Sequence, residues 1–164
     1  MKTNNITVGG ISIALSIVIL YLTTIIPINT IAILTLASAI IPIVIIRSNI
    51  KTSIFVYIIT SILSFFFLPI NYSILYILIF GLYGIVKYFI EKLNKLFYEI
   101  IIKLVFFNIV LFIGYFVFTS FIGPITIKLY PIVLFILAQI AFLIYDYALT
   151  IIITIYLKRI HGKI

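Results

Sequence analysis

The stretch KYFIEKLNKLFYEIIIK, Lys87 to Lys103, decides how this chain is read. Lys87, Glu91, Lys92, Lys95, Glu99 and Lys103 are six of only fourteen charged side chains, eleven basic and three acidic. Five of them, Lys87, Glu91, Lys95, Glu99 and Lys103, recur every fourth position with alternating sign. Residues four apart are neighbours on a helix surface, so the run predicts ion-paired helical ends packed with Tyr88, Phe89, Ile90, Leu93, Leu96 and Phe97. Asn94 marks the expected turn, and a hairpin and a short interfacial helix both accommodate the ladder. Long apolar runs flank this island, which places it in water at a membrane face.

Composition supports that placement. The 164 residues are 66% hydrophobic and 9% charged, with a mean hydropathy of +1.47, far from the roughly one-quarter charged content of a soluble domain. Cysteine is absent, which removes disulfides, thiolate metal sites and cysteine nucleophiles. A net charge of +8 in a soluble protein points to nucleic acid. Here the basic residues lie between or after apolar runs, as membrane orientation requires, and no nucleic-acid partner is expected. Isoleucine dominates the apolar residues, consistent with an AT-rich bacterial coding bias.

A helix needs about 20 apolar residues to cross the hydrocarbon core. Six segments qualify, near Thr7–Ile26, Thr30–Ile46, Thr52–Leu68, Tyr72–Ile90, Ile100–Phe121 and Pro131–Leu157. The first exceeds the about 7–15 apolar residues of a signal peptide and is read as a span. Pro27 with Asn29, Arg47-Ser48-Asn49, Pro69 with Asn71, and Gly123-Pro124 separate the segments. Pro42 lies inside the second and is expected to kink it. The fold class expected is all-α: a single polytopic domain of six transmembrane helices over residues 1–164.

Loop charges then set the orientation. Lys2, Arg47, Lys51, Lys87, Lys92, Lys95, Lys103, Lys158, Arg159 and Lys163 fall on one side, and only Lys128 on the other. By the positive-inside rule both termini face the cytoplasm of a bacterial cell, with the bilayer as the first partner.

Asp146 is the one acidic residue deep in a span, and burying a charge at the bilayer centre costs at least about 2.5–3.5 kcal/mol. It is expected to face the bundle interior and to have a partner. Gln139, two helical turns earlier on the same face, and Asn108 at similar depth complete a candidate polar locus. That locus contacts a ligand or a proton in one reading. In the other it is helix-to-helix hydrogen bonding, or a Lys103–Asp146 ion pair that fixes packing. Asn71, Tyr76 and Tyr115 near the outer ends are candidate first contacts for a solute, or members of an interfacial tyrosine belt. In the first span Gly10 and Ala14, interleaved with Ser12 and Ser16, form a small-residue stripe suited to close helix approach. Thr35 with Ala39 and Gly81 with Gly84 are similar pairs. Metalloprotease, serine-hydrolase and phosphate-loop motifs are missing, as is an acidic metal cluster, so neither enzyme activity nor a cofactor is expected. His161 reads as a solvated tail residue.

The strings ALSIVILYLTTIIP (Ala14–Pro27), LASAIIPIVII (Leu36–Ile46), RSNIK (Arg47–Lys51) and SILSFFFLP (Ser61–Pro69) resemble the S-component superfamily, the six-helix substrate-binding subunits of energy-coupling factor transporters. The resemblance implies uptake of a small vitamin-like molecule bound from the outer side through the later helices and outer loops. It also implies a complex with a transmembrane coupling subunit and two cytoplasmic ATPases. In that family small residues on the first helix contact the coupling subunit; the matching positions are Gly10 and Ala14, or Ser12 and Ser16. A second class shares this size and topology: non-enzymatic envelope-assembly proteins resembling the MreD family, which bind other membrane proteins. A packed, empty interior distinguishes that class from an outward-facing cavity reaching Gln139.

Overall fold

The structure, a computed structural model, describes residues 3–121 and 130–161. Among the described residues seven α-helices follow one another: α1 (Thr3–Ile25), α2 (Thr30–Arg47), α3 (Ile50–Phe67), α4 (Ile70–Leu75), α5 (Leu82–Glu91), α6 (Leu96–Phe121) and α7 (Pro131–His161). A single 3-10 turn, Pro27–Asn29, joins α1 to α2, and a π-helical segment, Tyr76–Gly81, runs without a break between α4 and α5. Counting that continuous run as one, six helices are long and apolar enough to span a membrane, which fits a multi-pass membrane protein. Their limits fall within a few residues of those read from hydropathy. Pro42 lies within an unbroken α2. Gly123, Pro124 and Lys128 lie outside the described residues, as do Lys2 and Lys163.

Local chemistry sets the ends. Asn49 caps α3, its side-chain Oδ1 accepting from the Thr52 amide at 2.8 Å, a contact worth about 1 kcal/mol. Pro69 stops α3 and opens α4. Between α5 and α6 the chain reverses at Asn94, whose φ of 52° is left-handed, a conformation that asparagine tolerates better than most residues. The island is therefore a hairpin. Its four-residue ladder is broken at Glu91, the last residue of α5.

Cross-helix pairings give the layout. Ser38 of α2 meets Tyr145 of α7, Tyr83 and Lys87 of α5 meet Asp146 and Thr150 of α7, and Gly84 of α5 lies against Ile41 and Pro42. Hence α2, α5 and α7 run in one direction. In α6, Lys103 pairs with Asp146 and Asn108 with Gln139, so α6 runs opposite. The Arg47–Lys51 turn, the Asn94 hairpin and the α7 residues Lys158 and Arg159 consequently share one lysine-rich end.

The core is centred on α2, of which 61% of the apolar stretch is buried, against 17% for α6 and for α7. The exterior carries Ile11, Phe66, Phe112 and Ile132 well exposed, an apolar surface suited to lipid as solvent rather than water.

The π segment answers a packing demand. Tyr57 of α3 lies across Gly81, where an added Cβ would stand 2.8 Å from the ring. Its hydroxyl donates to the Ile77 carbonyl at 2.8 Å, and the Tyr145 hydroxyl reaches the Phe80 carbonyl at 3.4 Å. A π register disturbs the regular carbonyl ladder, and two tyrosines from neighbouring helices satisfy oxygens within it.

Candidate functional site

Charge inside this bundle is gathered at one place. Lys87 of α5 is 1% exposed and Lys103 of α6 is 7% exposed, which corrects the expectation that the whole island stands in water. Both side chains turn into the bundle because α7 presents Asp146 there. Asp146 Oδ1 accepts from Lys87 and, at 2.6 Å, from the Tyr83 hydroxyl, while Oδ2 accepts from Lys103 at 3.0 Å. Glu91 closes the ring, its Oε1 lying 2.8 Å from Lys87 Nζ and 3.0 Å from Lys103 Nζ. Lys87 also donates to Thr150 Oγ1 at 2.7 Å. Two ammonium groups face two carboxylates, so the quartet is neutral and three helices are tied through it.

Of the ladder, only the Lys87–Glu91 pair survives between neighbours four apart. Among the described residues every ion pair belongs to this quartet. Lys95 instead stands over the Tyr98 ring. Of the six apolar residues expected to pack with the ladder, Ile90 alone is buried; Leu96 and Phe97 are 79% and 73% exposed, because the helix ends at Glu91 and the turn swings them outward.

The expected polar locus divides in two. Gln139 Nε2 donates to Asn108 Oδ1 at 2.7 Å, and Asn108 donates to the Leu104 carbonyl of its own helix. Between this pair and Asp146 the Phe107 and Phe142 rings stack, centroids 4.2 Å apart. Asn108 and Gln139 thus make one interhelical bond, while Asp146 belongs to the charged quartet. The Lys103–Asp146 pair expected from depth is present. Lys87 was missed as a partner of Asp146, although its place in an apolar stretch before the turn was a signal for it.

The remaining candidates are dispersed. Tyr76 is fully buried, its hydroxyl beside Thr60 of α3 without a well-formed hydrogen bond. Asn71 is half-buried in α4, and Tyr115 is 58% exposed on α6. The α1 stripe does not form one surface: Gly10 and Ala14 are exposed, Ser12 is half-buried and Ser16 is buried. Gly9, rather than Gly10, packs against α3, its Cβ position 3.3 Å from Thr52.

A cavity of about 850 Å³ lies between the start of α2 and the face of α7. Asn29, Thr30, Thr35 and Leu36 line one side, and Ala141, Ile144, Tyr145, Ala148 and Ile152 the other. Its rim is open, since Ile28, Ile31 and Ile144 are largely exposed. Tyr145 links it to the core: its hydroxyl is 2.6 Å from Ser38 Oγ, and the next residue is Asp146. Neither Gln139 nor Asn108 lines it. No group of three or more histidine, cysteine or acidic residues suited to a metal occurs among the described residues. No family model matches this chain, and neither a curated protein nor a solved structure matches it.

Proposed function

We propose that this protein is a non-enzymatic integral membrane protein of the bacterial plasma membrane that captures a small, mainly apolar molecule in the α2–α7 cavity. The observation that carries the reading is that cavity. Its volume lies in the range of small-molecule sites, roughly 300–1,000 Å³, and an apolar wall with a few polar groups is how such sites gain both affinity and orientation. Asn29 is a polar residue at the cavity's edge near the start of α2, while Thr35 donates to the Ile31 carbonyl and the Tyr145 hydroxyl is engaged by Ser38, so the wall presented to a ligand is mainly apolar. The excess of lysine and arginine at one end supports an arrangement with both termini in the cytoplasm, so the start of α2 faces outward. The S-component resemblance implies capture of a small molecule, and a coupling subunit with ATPases belongs to the same proposal. Gly10 and Ala14, exposed on α1, are the positions left open for such a subunit.

The alternative is an assembly protein of the MreD kind. One observation favours it: Asp146 is held by Lys87, Lys103 and Tyr83, and Asn108 is bonded to Gln139, so these three side chains are spent on joining helices. The experiment is native mass spectrometry of the protein extracted gently from its own membrane, with Ala141→Trp and Ala148→Trp as cavity-filling variants. A small-molecule adduct on the wild type that both variants lose, at unchanged thermal stability, supports capture. A ligand-free wild type that arrives with envelope proteins overturns it in favour of assembly.

A further inference from the structure

Within the quartet, Glu91 and Asp146 are held very differently. Asp146 engages both carboxylate oxygens, takes a further bond from Tyr83 and is 17% exposed. Glu91 is held by Oε1 alone and is 38% exposed, at the last turn of α5 beside exposed Lys92 and the Asn94 reversal. The lysine side chains it touches are 1% and 9% exposed. If the Glu91 side chain rotates outward, two buried ammoniums keep one carboxylate between them, and a net positive charge is left at the edge of the bundle. A buried charge without a counterion is costly, so the position vacated by Oε1 attracts another oxyanion.

We propose that this position is an oxyanion seat for a phosphate-type group, which Lys87 and Lys103 hold and for which Glu91 is the built-in competitor. The seat opens at the lysine-rich end of the bundle, where Lys92 and Lys95 add attraction for anions. None of the quartet lines the α2–α7 cavity, so the proposal stands apart from the capture reading. The group has two sources, the headgroup of an anionic phospholipid or dissolved phosphate. Leu93, Leu96 and Phe97, exposed around the same turn, are suited to the depth at which headgroups lie.

The test compares wild type, Glu91→Gln, and Glu91→Gln with Lys103→Gln in maltoside micelles, which carry no phosphate. Thermal unfolding is followed while inorganic phosphate, or phosphatidylglycerol, is added at an ionic strength matched with chloride. For Glu91→Gln the stabilising effect should be half-complete at a concentration about tenfold or more below that for wild type, because the competing carboxylate is gone, the bond from Lys103 is charge-assisted and Lys87 adds its charge beside it. The double variant should lose the effect. A response to phosphatidylglycerol alone identifies the headgroup, and a response to both identifies a general oxyanion seat. An equal response of wild type and Glu91→Gln, or one that persists in the double variant, overturns the proposal. If Glu91→Gln does not fold, Glu91→Ala, which also removes the carboxylate, serves in the same titration.

Discussion

Lys87 and Asp146, 59 residues apart in sequence, are joined by an ion pair and by a second, 3.3 Å bond from the Lys87 ammonium to the Asp146 carbonyl. The ammonium therefore grips both the side chain and the backbone of α7, at the centre of that helix. Lys103 takes the other carboxylate oxygen from α6. The charge deepest in the bundle is thus an attachment point, and what it attaches is the helix that forms one wall of the cavity.

Removing the Asp146 side chain leaves Glu91 as the one carboxylate for Lys87 and Lys103. Asp146→Ala should lower stability by about 3–5 kcal/mol, the usual result of stranding one side of a buried pair. Replacing both partners, as in Lys87→Met with Asp146→Leu, keeps the remaining Glu91–Lys103 pair neutral and should recover most of that loss. Thermal or denaturant unfolding in detergent reads both. A double variant no more stable than Asp146→Ala would show that the cost lies elsewhere than in the stranded charge.

Glycine substitutions test the packing of α5 and the π segment. An alanine at Gly81 meets the Tyr57 ring at 2.8 Å, and at Gly84 it meets Ile41 and Pro42 at 3.0 Å, whereas nothing lies within 4 Å of Gly10. Gly81→Ala and Gly84→Ala should each cost about 1–3 kcal/mol by overpacking. Gly10→Ala should be nearly silent, or slightly stabilising through helix propensity. A large loss at Gly10 in the isolated protein would contradict its exposed position.

Much of this architecture could be read from the chain. Span lengths, the prolines and asparagines between spans, and the turn at Asn94 need only hydropathy and backbone chemistry, which are local. The partner of Asp146 was partly readable, since Lys103 lay at nearly the right depth. Lys87 was hidden because a four-residue ladder of alternating sign reads as a solvated helix, and only the helix end at Glu91 breaks it. The split of the polar locus depends on the Phe107–Phe142 stack, a tertiary contact with no sequence signature. The cavity is equally non-local, since its α2 side and its α7 side lie more than a hundred residues apart.

The Asn108–Gln139 bond offers a cleaner measurement than the quartet because neither residue is charged. In a double-mutant cycle with Asn108→Leu and Gln139→Leu the coupling energy should be about 0.6 kcal/mol and no more than about 1.7, the span found for hydrogen bonds between membrane helices. Zero coupling would mean that each amide finds an equal partner elsewhere. Because neither residue lines the cavity, both single variants should also keep any small-molecule adduct. Loss of the adduct at full stability would return Asn108 and Gln139 to the binding site.

Tyr57→Phe isolates the bond that crosses from α3 into the π segment. The ring stays over Gly81 and only the hydroxyl leaves, so the Ile77 carbonyl loses its donor while the packing is kept. Ile77 is partly buried, and loss of a side-chain hydrogen bond to its carbonyl should cost about 1 kcal/mol and appear as faster amide exchange in Tyr76–Gly81 as well as lower overall stability. Tyr145→Phe removes a longer contact to Phe80 together with the Ser38 bond, so its effect should spread to α2. If the π register is intrinsic to the local sequence, Tyr57→Phe will lower stability but leave exchange in that segment unchanged. If the tyrosine hydroxyl holds the register, the segment will exchange faster than α5 beside it.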